Sequence, residues 1–217
     1  MEFIVNGEGS DVVKIIIILT LIGLAPFLLL MMTCFTRIII VLSFLRNAMG
    51  LQQTPPNQVL IGLALFITFF IMQPVLSQVN ETALQPYNDG LIETEEFLDR
   101  ASVPMKEFML KQSTGDEVEM FISLSADEAF EAMEAEDLPM HIVVPAFMTS
   151  ELKRAFLIGF LLFIPFLIID LIVSSTLMSM GMIMLPPVMI SLPFKIMLFV
   201  VVDGWGLLMK TLVMTYN

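Results

Sequence analysis

An all-α integral membrane protein, with two long kinked helical hairpins flanking an inserted acidic helical subdomain, is the fold class that the 217-residue sequence predicts. Three observations carry that prediction. The first is composition: 57% of the residues are hydrophobic and 15% charged, with a mean hydropathy of +0.89. Soluble domains run about 45–50% apolar and about 25% charged, and a soluble globule of this size lacks the interior for such a load. The second is the placement of charge. Residues 81–140 hold 16 of the 22 acids and 3 of the 10 bases, so this segment carries −13 against −12 for the whole chain. The third is that long uncharged apolar runs stand on both sides of the acidic segment. Soluble enzymes and disulfide-stapled modules are excluded. A near-neutral body with few bases also excludes a nucleic-acid binder.

Residues 1–11 form a polar N-terminal segment with no basic n-region and no Ala-x-Ala site, so no secretory signal is expected there. The first hairpin is predicted over 12–80. Residues 15–36 are uncharged and long enough to span about 30 Å of hydrocarbon. The apolar character continues past Arg37 to Leu45. One helix over 12–47 would measure about 54 Å at a rise of about 1.5 Å per residue, so it is expected to stand partly outside the bilayer, to tilt, or to bend at Pro26. Gly50, Gln52, Gln53, Pro55 and Pro56 supply turn chemistry before a second apolar run over 58–80.

The acidic insert, 81–144, reads as three or four short amphipathic helices. Thr114 with Glu117, and Ser125 with Glu128, fit the S/T-x-x-E capping box at a helix start, and Ser102 before Pro104 suggests another start. Phe97, Phe108, Phe121, Phe130 and Met133 give each short helix a narrow apolar stripe.

The second hairpin is predicted over 145–217. Residues 155–169 are uncharged, Asp170 interrupts, and 171–194 are uncharged again before Lys195. The stretch 181–187 breaks the helix. The halves echo each other weakly, with APFL at 25–28 and IPFL at 164–167, each ahead of a Pro-Pro turn. Pro26, Pro55, Pro56, Pro165, Pro186 and Pro187 are the expected helix hinges.

No catalytic residues, cofactor or metal are expected. Phosphate-cradling loops, dinucleotide fingerprints, zinc-protease helices and nucleophile elbows are all missing from the sequence. His141 is the only histidine and has no cysteine or second histidine near it, which argues against a metal. Cys34, the only cysteine, lies in an apolar run and reads as a small buried hydrophobe.

Charges within the second apolar half are costly and call for a partner. Folding this half about the middle of 181–184 brings Asp170 and Lys195 to the same depth, about 19 Å from the tip. An ion pair within the hairpin or between copies follows; separate snorkelling is the alternative. Met178, Met180, Met182 and Met184 alternate at the helix-breaking loop, whereas a core stripe would repeat at about 3.6. Unbranched, polarizable side chains suit a changing apolar surface, so a ring of these loops would make a soft gasket; apolar filling of a turn is the plainer reading.

These motifs together resemble the FliP family of bacterial flagellar type III export gates. The most specific stretch is PAFMTSELKRAFLIGF over 145–160. FTRIIIV at 35–41, LRN at 45–47, PPNQ at 55–58, FIM at 70–72, FIPFLIID at 163–170, MSMGMIMLPP at 178–187, PFK at 193–195 and DGW at 203–205 follow in family order. Leu157 departs from the pattern, where the signature often has a polar residue.

The resemblance implies a subunit without a catalytic step, assembled as copies of itself with FliQ-like and FliR-like membrane subunits. The ring surrounds a conduit for unfolded flagellar proteins in the bacterial inner membrane, at the flagellar basal body. It also implies that the four methionines form the pore loop, and that Glu151, Asp170 and Lys195 lie between packed helices or subunits. A homologous virulence-injectisome subunit is the near alternative. A small-solute or ion transporter using Asp170 and Lys195 is the distant one. The positive-inside rule places the Arg37–Arg46 connection in the cytoplasm and the acidic insert outside.

Overall fold

A computed structural model describes residues 16, 19–20, 23–24, 26–28, 30–125, 130, 133–182 and 185–216, and every regular element among them is helical. In chain order these are α1 (Phe35–Ala48), α2 (Asn57–Val79), a π-helical turn (Asn80–Leu84), α3 (Gln85–Asn88), α4 (Thr94–Gln112), α5 (Gly115–Leu124), a 3-10 turn (Ala135–Asp137), α6 (Met140–Ser179), α7 (Pro187–Val201) and α8 (Gly204–Met214).

Two stretches are long and apolar enough to cross a membrane: Asn57–Asn88 with 32 residues and Met140–Ser179 with 40. Their outer faces are what a lipid or protein neighbour would cover, with Phe66 78%, Phe70 70% and Phe160 63% exposed. At about 1.5 Å per residue α6 is about 60 Å long, twice the hydrocarbon thickness of about 30 Å.

The overlong helix expected over 12–47 is therefore replaced by a different one. Before α1 the chain turns by 81° between Pro26–Met32 and Phe35–Ala48. The turn falls at Thr33 and Cys34, beyond Pro26. Hydroxyls take over backbone partners there: Thr36 Oγ1 donates to the Leu30 carbonyl at 2.6 Å, and Thr33 Oγ1 accepts from the Phe35 N–H at 3.3 Å.

The expected hinges sit in different settings. Pro56 is the N-cap of α2, Pro186 that of α7, and Pro187 the first residue of α7, where a missing N–H costs nothing. Pro55 precedes Pro56 in the same turn, whereas Pro165 lies inside α6, which runs uninterrupted through it. A further break was not foreseen. Asp203, at φ 50, separates α7 from α8, and the two helices meet at 63°.

α1 is the centre of the core. Phe35, Ile38, Val41, Leu42, Leu45 and Ala48 are buried at helical spacing and face α6 and α2. The approach to α6 is close because position 159 is glycine: a Cβ there would stand 2.6 Å from Phe44 Cγ. We expect Gly159→Leu to force α1 off α6 and to cost about 1–3 kcal/mol or more by overpacking, read as a lowered melting temperature of the detergent-solubilised protein.

The insert folds back onto the body. α4 packs on α6 and α2, and α5 packs on α6. One expected helix start is corrected and one stands without its capping bonds. Ser102 and Pro104 lie inside α4, whose start comes earlier at Thr94, with Glu95 and Glu96 in its first turn. Pro104 is buried, and the Ser102 hydroxyl donates to the Asp99 carbonyl. Thr114 is the N-cap of α5, but its side chain makes no cap bond and Glu117 turns away to α6. The start expected at Ser125 involves Glu128, which lies outside the described residues; Ser125 itself is the C-cap of α5. α6 begins at Met140, so it takes up the last residues of the segment 81–144.

Candidate functional site

Charged side chains buried against α1 form two junctions. The first is built on Glu151 of α6 and Arg37 of α1, both fully buried. The Arg37 guanidinium grips the carboxylate with two nitrogens, Nε at 3.0 Å from Oε2 and Nη2 on Oε1. Such fork-to-carboxylate pairing is the strongest geometry for an ion pair. The Tyr216 hydroxyl donates to Glu151 Oε2 at 2.6 Å, and Arg37 Nη1 donates to Thr215 Oγ1 at 3.1 Å. The guanidinium also lies over the Tyr216 ring, 3.9 Å from its centroid. Every charged atom is thereby matched, which is the condition for keeping such a pair out of water.

The second junction joins α6 to α7 and the end of α1. Lys195 Nζ stands 2.6 Å from Asp170 Oδ2 and donates to the Ala48 carbonyl at 3.0 Å. The other carboxylate oxygen, Oδ1, accepts from the Ser191 hydroxyl at 2.6 Å. Lys195 is 3% exposed and Asp170 30%. A cation at the last carbonyls of α1 also complements the negative end of that helix.

Met178 lies in the last turn of α6, and Met180 and Met182 follow at its C-terminal end. Met178, Met180 and Met182 are 70%, 65% and 44% exposed. Met184 lies outside the described residues. Gly181 takes φ +74 there, a conformation that ends the helix and that L side chains resist.

The model of the FliP family matches residues 18–212. The chain belongs to the FliP family. Its relatives include the flagellar biosynthetic protein FliP of Bacillus subtilis (strain 168), 54% identical over 207 residues, covering 95% of this chain and 93% of the relative. The proteins of the same name from Aquifex aeolicus (strain VF5) and Pectobacterium carotovorum subsp. carotovorum are 51% and 52% identical over 213 residues. Each match covers 97% of this chain, with 89% and 82% of the respective relative.

In this FliP-family chain the three charges singled out from sequence fall into both junctions: Asp170 and Lys195 come together, while Glu151 meets Arg37. Four further participants were not singled out as site residues: Arg37, which lies in the FTRIIIV motif, and Ser191, Thr215 and Tyr216. Arg37 had a usable signal, since an arginine inside an apolar run needs an acid, and beyond residue 11 the apolar parts contain only Glu151, Asp170 and Asp203. Tyr216 had none. His141 packs edge-on against Phe130 at 5.7 Å, and Cys34 is buried with Sγ 4.0 Å from the Thr68 carbonyl. No group of three potential metal ligands occurs among the described residues.

A third pair ties the insert to α6. Lys153 Nζ donates to Glu117 Oε1 at 2.8 Å. That hydrogen bond, which outweighs the opposing effect of burial, holds the Glu117 carboxyl below its ordinary 4.5. A depressed folded pKa contributes stability that is present above 4.5 and lost as pH falls through the lower folded value. Wild type is therefore expected to melt above Glu117→Gln at neutral pH, and thermal melts should show the gap closing as the pH drops below 4.5.

Proposed function

We propose that this FliP-family chain is a core membrane subunit of the flagellar type III export gate. It forms, with FliQ-like and FliR-like subunits and further copies of itself, a ring around a conduit for unfolded flagellar proteins across the inner membrane. The family match carries this reading, and the name of the relatives, flagellar biosynthetic protein FliP, favours the flagellar over the injectisome form. In this reading two helical hairpins, 12–80 and 145–217, make the membrane body. The acidic insert stands outside the cytoplasm, and the role is structural, with no catalytic step.

The physical support is the apolar surface left uncovered on one chain. Phe156, Leu157, Phe160, Leu161, Ile164 and Leu171 are exposed along α6, a helix longer than a bilayer is thick. A surface of that length has to be covered in part by protein. The exposed methionines at the C-terminal end of α6 supply a soft constriction where copies meet.

Purification of the tagged chain from its own membranes tests the proposal. A large ring containing two other small membrane proteins is expected; a lone monomer that binds a small solute through Asp170 and Lys195 would overturn it in favour of a transporter. The gasket has its own test. Met178→Ala, Met180→Ala and Met182→Ala combined should raise the permeability of the membrane to small ions without lowering the amount of chain present. Unchanged permeability would remove the methionines from the constriction.

A further inference from the structure

Tyr216 follows α8 in sequence but lies at the meeting of three distant elements. Its hydroxyl reaches Glu151 of α6, 65 positions away, at 2.6 Å. Its carbonyl accepts from Gln112 Nε2 at 3.2 Å, across 104 positions. Gln112 is the last residue of α4, is 4% exposed, and its own Oε1 accepts from Arg154 Nη1 of α6 at 3.1 Å. One turn back on α4, Phe108 stacks on the Tyr216 ring with centroids 6.3 Å apart.

Tyr216 thus faces two ways: its phenol belongs to the membrane body, and its backbone and ring face belong to the insert. The insert needs such a tie. α4 buries only Pro104, Phe108, Met109 and Gln112, a narrow face for a segment that carries −13. A phenylalanine would fill the same volume, so the buried hydroxyl is explained by its bond to a charged acceptor and not by packing.

We infer that Tyr216 is a positioning residue that fixes the acidic insert in one orientation on the membrane body, by joining Gln112 of α4 to the buried Arg37–Glu151 pair. The hydroxyl holds the ring in place, and the ring and carbonyl hold the end of α4. The lock acts on the insert and leaves α7, which packs on α6 and α8, outside its reach.

Hydrogen exchange on the full-length protein, in the complex purified from its membranes, tests this lock. Tyr216→Phe is expected to raise exchange about tenfold at the α4–α5 corner, residues 109–118, the factor that follows from losing one hydrogen bond to a charged group. Exchange in α7, which packs on α6 and α8, should stay at the wild-type rate. An unchanged corner overturns the inference, and so does an equal rise in α7, which would mark general loosening.

Should Tyr216→Phe fail to accumulate, Gln112→Leu serves instead, because it cuts the link on the insert side and leaves the ion pair whole. The same localised rise is expected, and its absence counts against the lock. With both substitutions combined, the corner should exchange little faster than with either one; independent, multiplying effects would overturn the coupling. None of these readings depends on export.

Discussion

Glu151→Ala should remove the chain from the membrane fraction, the largest single effect expected here. The substitution strips Arg37 of its carboxylate while leaving the guanidinium fully buried, with Thr215 Oγ1 and the Tyr216 ring as remaining contacts. Breaking a buried pair on one side costs about 3–5 kcal/mol. Folded domains hold only about 5–15 kcal/mol in total, so that loss is enough to feed the protein to proteases. Arg37→Ala should be as damaging, since it strands the carboxylate.

Replacing both partners is expected to hurt less than either single change. Arg37→Met with Glu151→Met removes both desolvated charges, and apolar replacement of a buried pair is often neutral or stabilising by about 1–4 kcal/mol. The Tyr216 hydroxyl then has no charged acceptor, with only the Cys34 carbonyl left at 3.4 Å. Adding Tyr216→Phe should therefore improve the double variant further, although it harms the wild type. Membrane abundance by immunoblot and melting of the purified protein read this order. If Glu151→Ala accumulates like wild type, or if the double variant is as poor as the two singles added together, the pair does not hold the fold.

The second large effect concerns Asp170 and Lys195. Asp170→Asn should be worse than Lys195→Met. The asparagine variant leaves Lys195, 3% exposed, with the Ala48 carbonyl as its main acceptor, whereas an orphaned Asp170 keeps Ser191 and is 30% exposed to water. The loss for Asp170→Asn is about 3 kcal/mol, less for Lys195→Met because the partly wet carboxylate is screened. Exchanging the charges, Asp170→Lys with Lys195→Asp, is expected to recover only part of the swimming lost in the singles. The pair reforms, and the Ser191 hydroxyl can accept from an ammonium at 170, but a carboxylate at 195 faces the Ala48 carbonyl, an acceptor it cannot pair with. Swimming halos in soft agar measure the order of the variants. A swap no better than Asp170→Asn would mean that the surrounding contacts, and not the pair, carry the function.

These two junctions differ in how far the sequence revealed them. Asp170 and Lys195 were matched by counting from one turn, because both lie on helices that meet at the same loop and helical rise is constant. Glu151 was visible as a charge in an apolar half, yet its partner was not. Arg37 lies 114 positions away and Tyr216 65, and no local period links them. Only the packing of α1 on α6 brings them within reach. The insert shows the same limit. The capping pattern at Thr114 located the start of α5, but its reciprocal bonds do not form: the Thr114 N–H donates to Ser150 Oγ, Glu117 pairs with Lys153, and the Thr114 hydroxyl makes no cap bond. Ser102 and Pro104 suggested a start that the flanking helix overrode, since a favourable acidic first turn at Thr94 and a buried proline face outweighed one lost backbone bond.

Taken alone, the sequence determined the helical class, the apolar runs long enough to cross a membrane, the concentration of acidic charge in residues 81–140, and the family. All of these follow from hydropathy, charge and motif order, which are properties of neighbouring residues. The tertiary structure alone decided which helix outgrows the bilayer, where the chain turns before α1, and which groups neutralise Arg37 and Glu151. The last of these depends on surfaces meeting far apart in sequence, 114 positions for Arg37 and Glu151 and 65 for Tyr216 and Glu151, and on the glycine at 159 that lets α1 and α6 approach.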